Sequence, residues 1–170
     1  METTVLPSEM CSIARTVAIV GDRWTLLVLR DITNGVRRFA DLADHLGVAR
    51  DVLSRRLAGL VDDGILERVP YREPGARERH EYRLTGKGRD LTVVLLALMA
   101  WGDRHLGWPD GPPLRLEHRD CGAPVSVGLR CTAGHEVSPD RGLRLQPRRW
   151  LSRAAVVRPD DARGRAARRG

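Results

Sequence analysis

Lysine is almost missing from this chain: Lys87 is the only one among 29 basic residues, and all the others are arginine. A guanidinium is the better bidentate partner for guanine edges and phosphates. Coding bias in a GC-rich genome produces the same imbalance, so the ratio decides nothing alone. Cysteine is also scarce, and three is an odd number, which makes no disulfide framework. No apolar run reaches the ~20 residues of a bilayer span; the longest, residues 93–101, is cut by Gly102-Asp103-Arg104. The segment Met1 to Pro7 has neither the basic nor the apolar region of a signal peptide. These absences exclude a membrane partner and read as cytoplasmic. A phosphate-binding glycine loop, a nucleophile elbow and paired carboxylates are lacking too. His45, His80 and His105 have no acidic or cysteine partner at a catalytic spacing, so an enzyme is not expected.

What is present suits one compact domain with appendages: 170 residues with an apolar share of 42 %. The net charge of +7 misleads, because the stretch from residue 148 onwards holds eight arginines against Asp160 and Asp161. That tail carries +6, which leaves +1 for residues 1–147. Any case for a nucleic-acid partner must therefore rest on local charge.

Apolar spacing predicts four helices in succession. Residues 12–20 place Ile13, Ala14, Val17, Ala18 and Val20 at helical intervals behind Ser12, before Gly21 stops them. Asp22 caps a second helix with Trp24, Leu27, Val28 and Ile32 inward, ended by Asn34-Gly35. A short third, residues 39–46, turns Phe39, Leu42, Ala43 and Leu46 inward. Gly47-Val48-Ala49 leads tightly into a fourth, residues 50–62, with Leu53, Leu57, Leu60 and Val61 inward, stopped by Asp63-Gly64. The period then changes: residues 65–71 read as a strand that Pro70 confines to an edge, and residues 80–84 as a second. Between them lies a charged, turn-rich loop. Thr85 caps one long final helix to about His105, with Leu91, Val94, Leu95, Leu98 and Trp101 as its stripe. Trp24, Phe39 and Trp101 read as core or interface packing.

Two helices joined by a short glycine turn, then a hairpin with a charged loop, describe a winged helix-turn-helix. The expected class is mainly α with a small β-hairpin wing, followed by a small β-rich or irregular C-terminal extension. The divisions are an arm at 1–10, the winged-helix domain at 11–108, the extension at 114–147 and an arginine-rich tail, expected to be disordered, at 148–170.

The helix from Arg50 is the candidate recognition helix. With its leucines inward, its other surface carries Arg50, Asp51, Ser54, Arg55 and Arg56, and such a helix enters the major groove amino end first. Arg50 and Arg55 suit guanine O6 and N7, and Ser54 a base or phosphate. The loop arginines Arg72, Arg77 and Arg79 suit phosphates or a minor groove, diluted by Glu73 and Glu78. Arg38, just before the third helix, completes the candidate set.

Residues 11–102 resemble the HxlR-type regulators, a branch related to the MarR group of winged-helix repressors. The matching blocks are Cys11, the run from Gly21 to Arg30, Gly35-Val36-Arg37-Arg38-Phe39 and the run from Leu53 to Leu60. Asp63-Gly64-Ile65-Leu66, the run from Glu81 to Gly88, and Trp101-Gly102 complete them. The resemblance implies a bacterial or archaeal transcription regulator, a homodimer joined through its first and last helices, on inverted-repeat double-stranded DNA. A repressor is the expected mode. The family usually has serine where this chain has Ala49, so the recognition helix loses a cap, at about 1 kcal/mol. In some relatives a cysteine at the place of Cys11 senses oxidants or electrophiles, and a thiol at a helix amino terminus has physical reason to react. A small-molecule effector between the first and last helices, and no signal at all, stay open beside it. So does a protein-interaction adaptor on the same scaffold, which the near-neutral body favours.

The extension holds a second constellation, His118-x2-Cys121 and Cys131-x3-His135. Four such ligands in two pairs can close a tetrahedral zinc site, the staple a unit of about 30 residues needs. Longer proteins resembling this family carry a second C-x2-C pair where Gly134-His135 stands here, so a ribbon that no longer binds metal is the alternative.

Overall fold

The computed structural model describes residues 7–75 and 77–146; the arginine-rich tail lies outside the described residues. In chain order the elements are α1 (Ser12–Val20), α2 (Arg23–Thr33), α3 (Phe39–Leu46), α4 (Arg50–Asp62), β1 (Leu66–Tyr71), β2 (Arg79–Leu84), α5 (Gly86–Asp90), α6 (Thr92–His105), β3 (Leu129–Arg130) and β4 (Glu136–Val137). Among the described residues they fall into two units, residues 19–127 and residues 7–18 with 128–146.

In the first unit α2 is the central element, packed against α3, α4, α6 and β2. The Asp22 carboxylate starts it, accepting from the backbone N–H of Trp24 (3.0 Å) and Thr25 (3.3 Å), two donors a helix start would otherwise leave unpaired. Val28, Leu29 and Ile32 are buried with Thr25. Leu27, expected inward, is only half-buried, and Leu29 holds its place in the core. An element with neighbours on several sides buries more than one stripe, which periodicity alone does not reveal.

The core is completed by Leu42 and Ala43 of α3, by Leu53, Leu57 and Leu60 of α4, and by Val20, Val48, Ile65, Leu66 and Tyr82. Asp31 sits among them, 1 % exposed. Its carboxylate takes Arg30 Nε at 2.8 Å and lies 2.6 Å from His45 Nδ1. A buried carboxylate is tolerated only when its oxygens are paired, and here the pairing ties the end of α2 to the end of α3.

The hairpin runs in register from Leu66 opposite Leu84 to Tyr71 opposite Arg79. Pro70 lies inside β1 opposite His80; Tyr82 N–H points away from β1, so by alternation 70–80 is a pair without ladder bonds and the missing N–H costs none. Residues just before α3 attach to β2 as well: Arg38 bridges to Glu81, and Tyr82 N–H donates to Arg37 O at 2.8 Å. Thr85 caps a helix as expected, accepting from Gly88 N–H at 3.1 Å. The single long final helix is, however, two helices. α5 ends at Asp90, Leu91 N–H turns back to Gly88 O at 3.1 Å, and α6 starts at Thr92. Two glycines in α5 and the β-branched run Thr92-Val93-Val94 disfavour a continuous helix, and the break lets Leu91 and Leu95 reach the core.

In the second unit a 3-10 turn at Ser8–Met10 precedes α1, and β3 and β4 form a small hairpin with Leu129 opposite Val137.

Candidate nucleic-acid interface

The turn between α3 and α4 is made by Gly47, which takes a left-handed conformation (φ 60°) that side chains disfavour, and its N–H closes α3 on Ala43 O. Ala49 then occupies the N-cap of α4 with no side-chain bond to the helix. Ala49→Ser is therefore expected to stabilise the protein by about 1 kcal/mol, read as a later denaturant midpoint at unchanged slope. An unmoved midpoint contradicts that account of the turn.

Leu53, Leu57 and Leu60 are buried, so Arg50, Asp51, Ser54, Arg55 and Arg56 lie on the exposed side of α4. Their surroundings differ. The Arg50 guanidinium stands over the Phe39 ring of α3, 5.3 Å from its centroid. Arg55 pairs with Asp51 one turn back on the same helix, at 3.4 Å. Arg56 donates to Asp22 Oδ2 at 3.0 Å, so the carboxylate that caps α2 also fastens α4. Periodicity placed Arg56 beside Arg55; the partner is 34 residues away, and nothing in the local sequence signals it.

The wing has its own anchor. Arg38 Nη1 meets Glu73 Oε1 at 2.7 Å, and its guanidinium lies 4.5 Å from the Tyr71 ring centroid. Arg38 thus joins the start of α3 to the tip of the hairpin, across 35 residues of sequence. Arg77 and Arg79 are exposed on the returning side of the loop. The ion pairs at Arg38, Arg55 and Arg56 are between partly exposed groups, worth at most about 1 kcal/mol each, so phosphates or base edges can compete for the same guanidinium groups.

Cys11 is a free, half-buried thiol. Its carbonyl accepts from Arg15 N–H at 3.0 Å, which puts it at the amino end of α1, where the sequence placed it. His118 Nδ1 lies 3.1 Å from Cys121 Sγ on a tight turn closed by His118 N–H to Ala123 O and Gly122 N–H to His118 O, both 2.8 Å; these residues belong to the first unit. Cys131 Sγ lies 3.6 Å from His135 Nδ1 on the turn between β3 and β4, in the second. Among the described residues no group of three or more His, Cys, Asp or Glu side chains is gathered that could hold a metal ion. No helix among them is long and apolar enough to cross a membrane.

Helix, tight turn, helix, then a hairpin with an arginine-bearing loop define a winged helix-turn-helix protein. This chain belongs to the HxlR-like helix-turn-helix family, whose model matches residues 19–108. A transcriptional regulator of Mycobacterium tuberculosis, described as uncharacterised and of the HTH type, is 49% identical over 128 residues, 75% of this chain and 80% of that protein. The solved structure of PA1607, described as a candidate transcription factor, is 36% identical with a TM-score of 0.70, covering 81% of this chain and 94% of that one. The redox regulator HypR, solved in its reduced form, is 25% identical with a TM-score of 0.51, over 56% of this chain and 96% of its own. The protein is a transcriptional regulator of the helix-turn-helix type.

Proposed function

We propose that the protein binds an inverted-repeat operator as a homodimer and represses transcription by covering the promoter. The observation that carries this reading is the exposed strip of Arg50, Asp51, Ser54 and Arg55 at the amino end of α4, in the same unit as a wing bearing Arg77 and Arg79. A helix so oriented offers its first turns to the major groove, and wing arginines suit the flanking phosphates.

The dimer is supported by α6, which buries none of its residues in this chain and exposes Val94 (42%), Leu98 (50%) and Trp101 (59%). Ile13 and Val17 of α1 are exposed as well. Apolar side chains in such number call for a covering partner, and a second copy does this with two-fold symmetry. Two recognition helices about 34–36 Å apart then match successive major grooves. An input through Cys11 is part of the proposal, supported by its place at the start of α1 and by the likeness to HypR.

Selection of bound duplexes from a random pool by the reduced protein tests this reading, with sedimentation for the oligomer. Expected are the mass of two chains, an inverted repeat with half-sites about one helical turn apart, and binding weakened by diamide in the wild type but not in Cys11→Ser. If no sequence is enriched at low salt, the DNA reading fails. The adaptor reading, which the +1 charge of residues 1–147 favours, then replaces it. If diamide has no effect, only the Cys11 input is lost.

A further inference from the structure

Asp51 is an unusual residue to find on a surface that meets DNA. It is the second residue of α4, its side chain is 74% exposed, and it points along the same strip as Ser54 and Arg55. A carboxylate there is repelled by phosphates, and guanine O6 and N7 or thymine O4 offer it only acceptors. The base-edge groups that can satisfy it in the major groove are exocyclic amines, above all cytosine N4.

The three arginines of α4 divide in a way that bears on this. Arg50 is held over Phe39 of α3, and Arg56 is held by Asp22 ahead of α2. Arg55 has its ion pair with Asp51, at 3.4 Å across one helical turn, with both side chains about three-quarters exposed. An acid and a base so placed match neighbouring partners of opposite character, an amine donor for Asp51 and the O6/N7 acceptor pair of guanine for Arg55.

Resting on the DNA-binding reading above, we propose that Asp51 is a specificity-determining residue: its carboxylate selects a cytosine in each operator half-site, next to the guanine read by Arg55. It acts mainly by exclusion: guanine and thymine leave an uncompensated carboxylate in the groove, and adenine sets its N7 acceptor beside the amine, the kind of penalty that separates a right partner from a wrong one. Helix stabilisation is the competing role, because an acid in the first turn also favours the helix.

The two roles separate in a selection experiment on the full-length wild type, Asp51→Asn, Asp51→Ala and Arg55→Ala, each followed by titration of the best site and its single-base variants. In the wild type, replacing the selected cytosine is expected to cost about tenfold in affinity. In Asp51→Ala that preference disappears at this position alone, while affinity for unrelated DNA rises several-fold. Asp51→Asn, which keeps the size and gains donors, is expected to move the preference towards adenine. Arg55→Ala relaxes the neighbouring guanine. If Asp51→Ala and Asp51→Asn both keep the wild-type preference at every position, Asp51 only stabilises its helix and the inference is overturned, with operator recognition by the protein untouched. If the wild type itself selects no sequence, the DNA reading falls and this inference falls with it.

Discussion

Arg50→Ala combined with Arg55→Ala is expected to abolish operator recognition while leaving the fold in place. Each guanidinium that reads a guanine contributes about 1–3 kcal/mol of affinity, so the pair is worth roughly 2–6 kcal/mol where the two act independently. Independence is reasonable, because their holds differ: Arg50 rests on the Phe39 ring of α3 and Arg55 on Asp51 of its own helix. Neither contributes to the core. The strongest native interaction that the double variant removes is the stacking of Arg50 on Phe39, worth about 0.5–1 kcal/mol at an exposed site. The melting temperature should therefore move by only a few degrees, while the best site is bound no better than random DNA. Anisotropy titrations at several salt concentrations read the affinity, and a thermal melt reads the fold. A double variant that keeps wild-type affinity for the selected site would place recognition elsewhere on the molecule.

Gly88→Ala is expected to act in the opposite way, on the fold before any function. A Cβ at Gly88 would stand 2.2 Å from the carbonyl oxygen of Ile65 and 3.1 Å from Leu84 Cδ2. The first neighbour is backbone, and it is already engaged, accepting from Thr85 N–H at 3.0 Å. The Thr85 hydroxyl, 3.1 Å from the same oxygen, also accepts from Gly88 N–H. Room can be made only by moving α5 away from the start of β1, which breaks this junction between the wing and the last helices. The expected loss is about 3 kcal/mol, or roughly 12–24 °C of melting temperature for a domain of about 100 residues. Gly59→Ala provides the contrast. It lies within α4 with nothing inside 4 Å of an added Cβ, so alanine should stabilise by up to about 1 kcal/mol through helix propensity. Equal melting temperatures for Gly88→Ala and the wild type would show that α5 yields at little cost.

Most of the element order was legible because each element advertises itself locally. Asp22, Asn34-Gly35, Gly47 and Asp63-Gly64 mark ends where a chain must cap or turn, and α1, α3 and α4 have the bounds that the apolar spacing predicts. The winged-helix class followed from that order, and the family resemblance from the residue blocks between Cys11 and Gly102. The break at Leu91 was not legible. Thr85 and the long apolar run both read as one helix; Gly86, Gly88 and the β-branched run at residues 92–94 weaken it, but it takes the packing of Gly88 on Ile65 and the reach of Leu91 and Leu95 to the core to separate α5 from α6.

The candidate interface divides along the same line. That Arg50, Asp51, Ser54, Arg55 and Arg56 share the exposed side of one helix is a consequence of the 3.6-residue period and of where the leucines stand. The sequence by itself therefore determined the class, the exposed side of α4 and the charges on it. What each charge is tied to was decided by tertiary structure alone. Asp22 with Arg56, Asp31 with His45 and Arg38 with Glu73 join residues 34, 14 and 35 positions apart. Periodicity reports which side of a helix faces inward; it holds no information about which distant element arrives on the other side. That depends on how the helices pack, and the packing is set by the whole core at once.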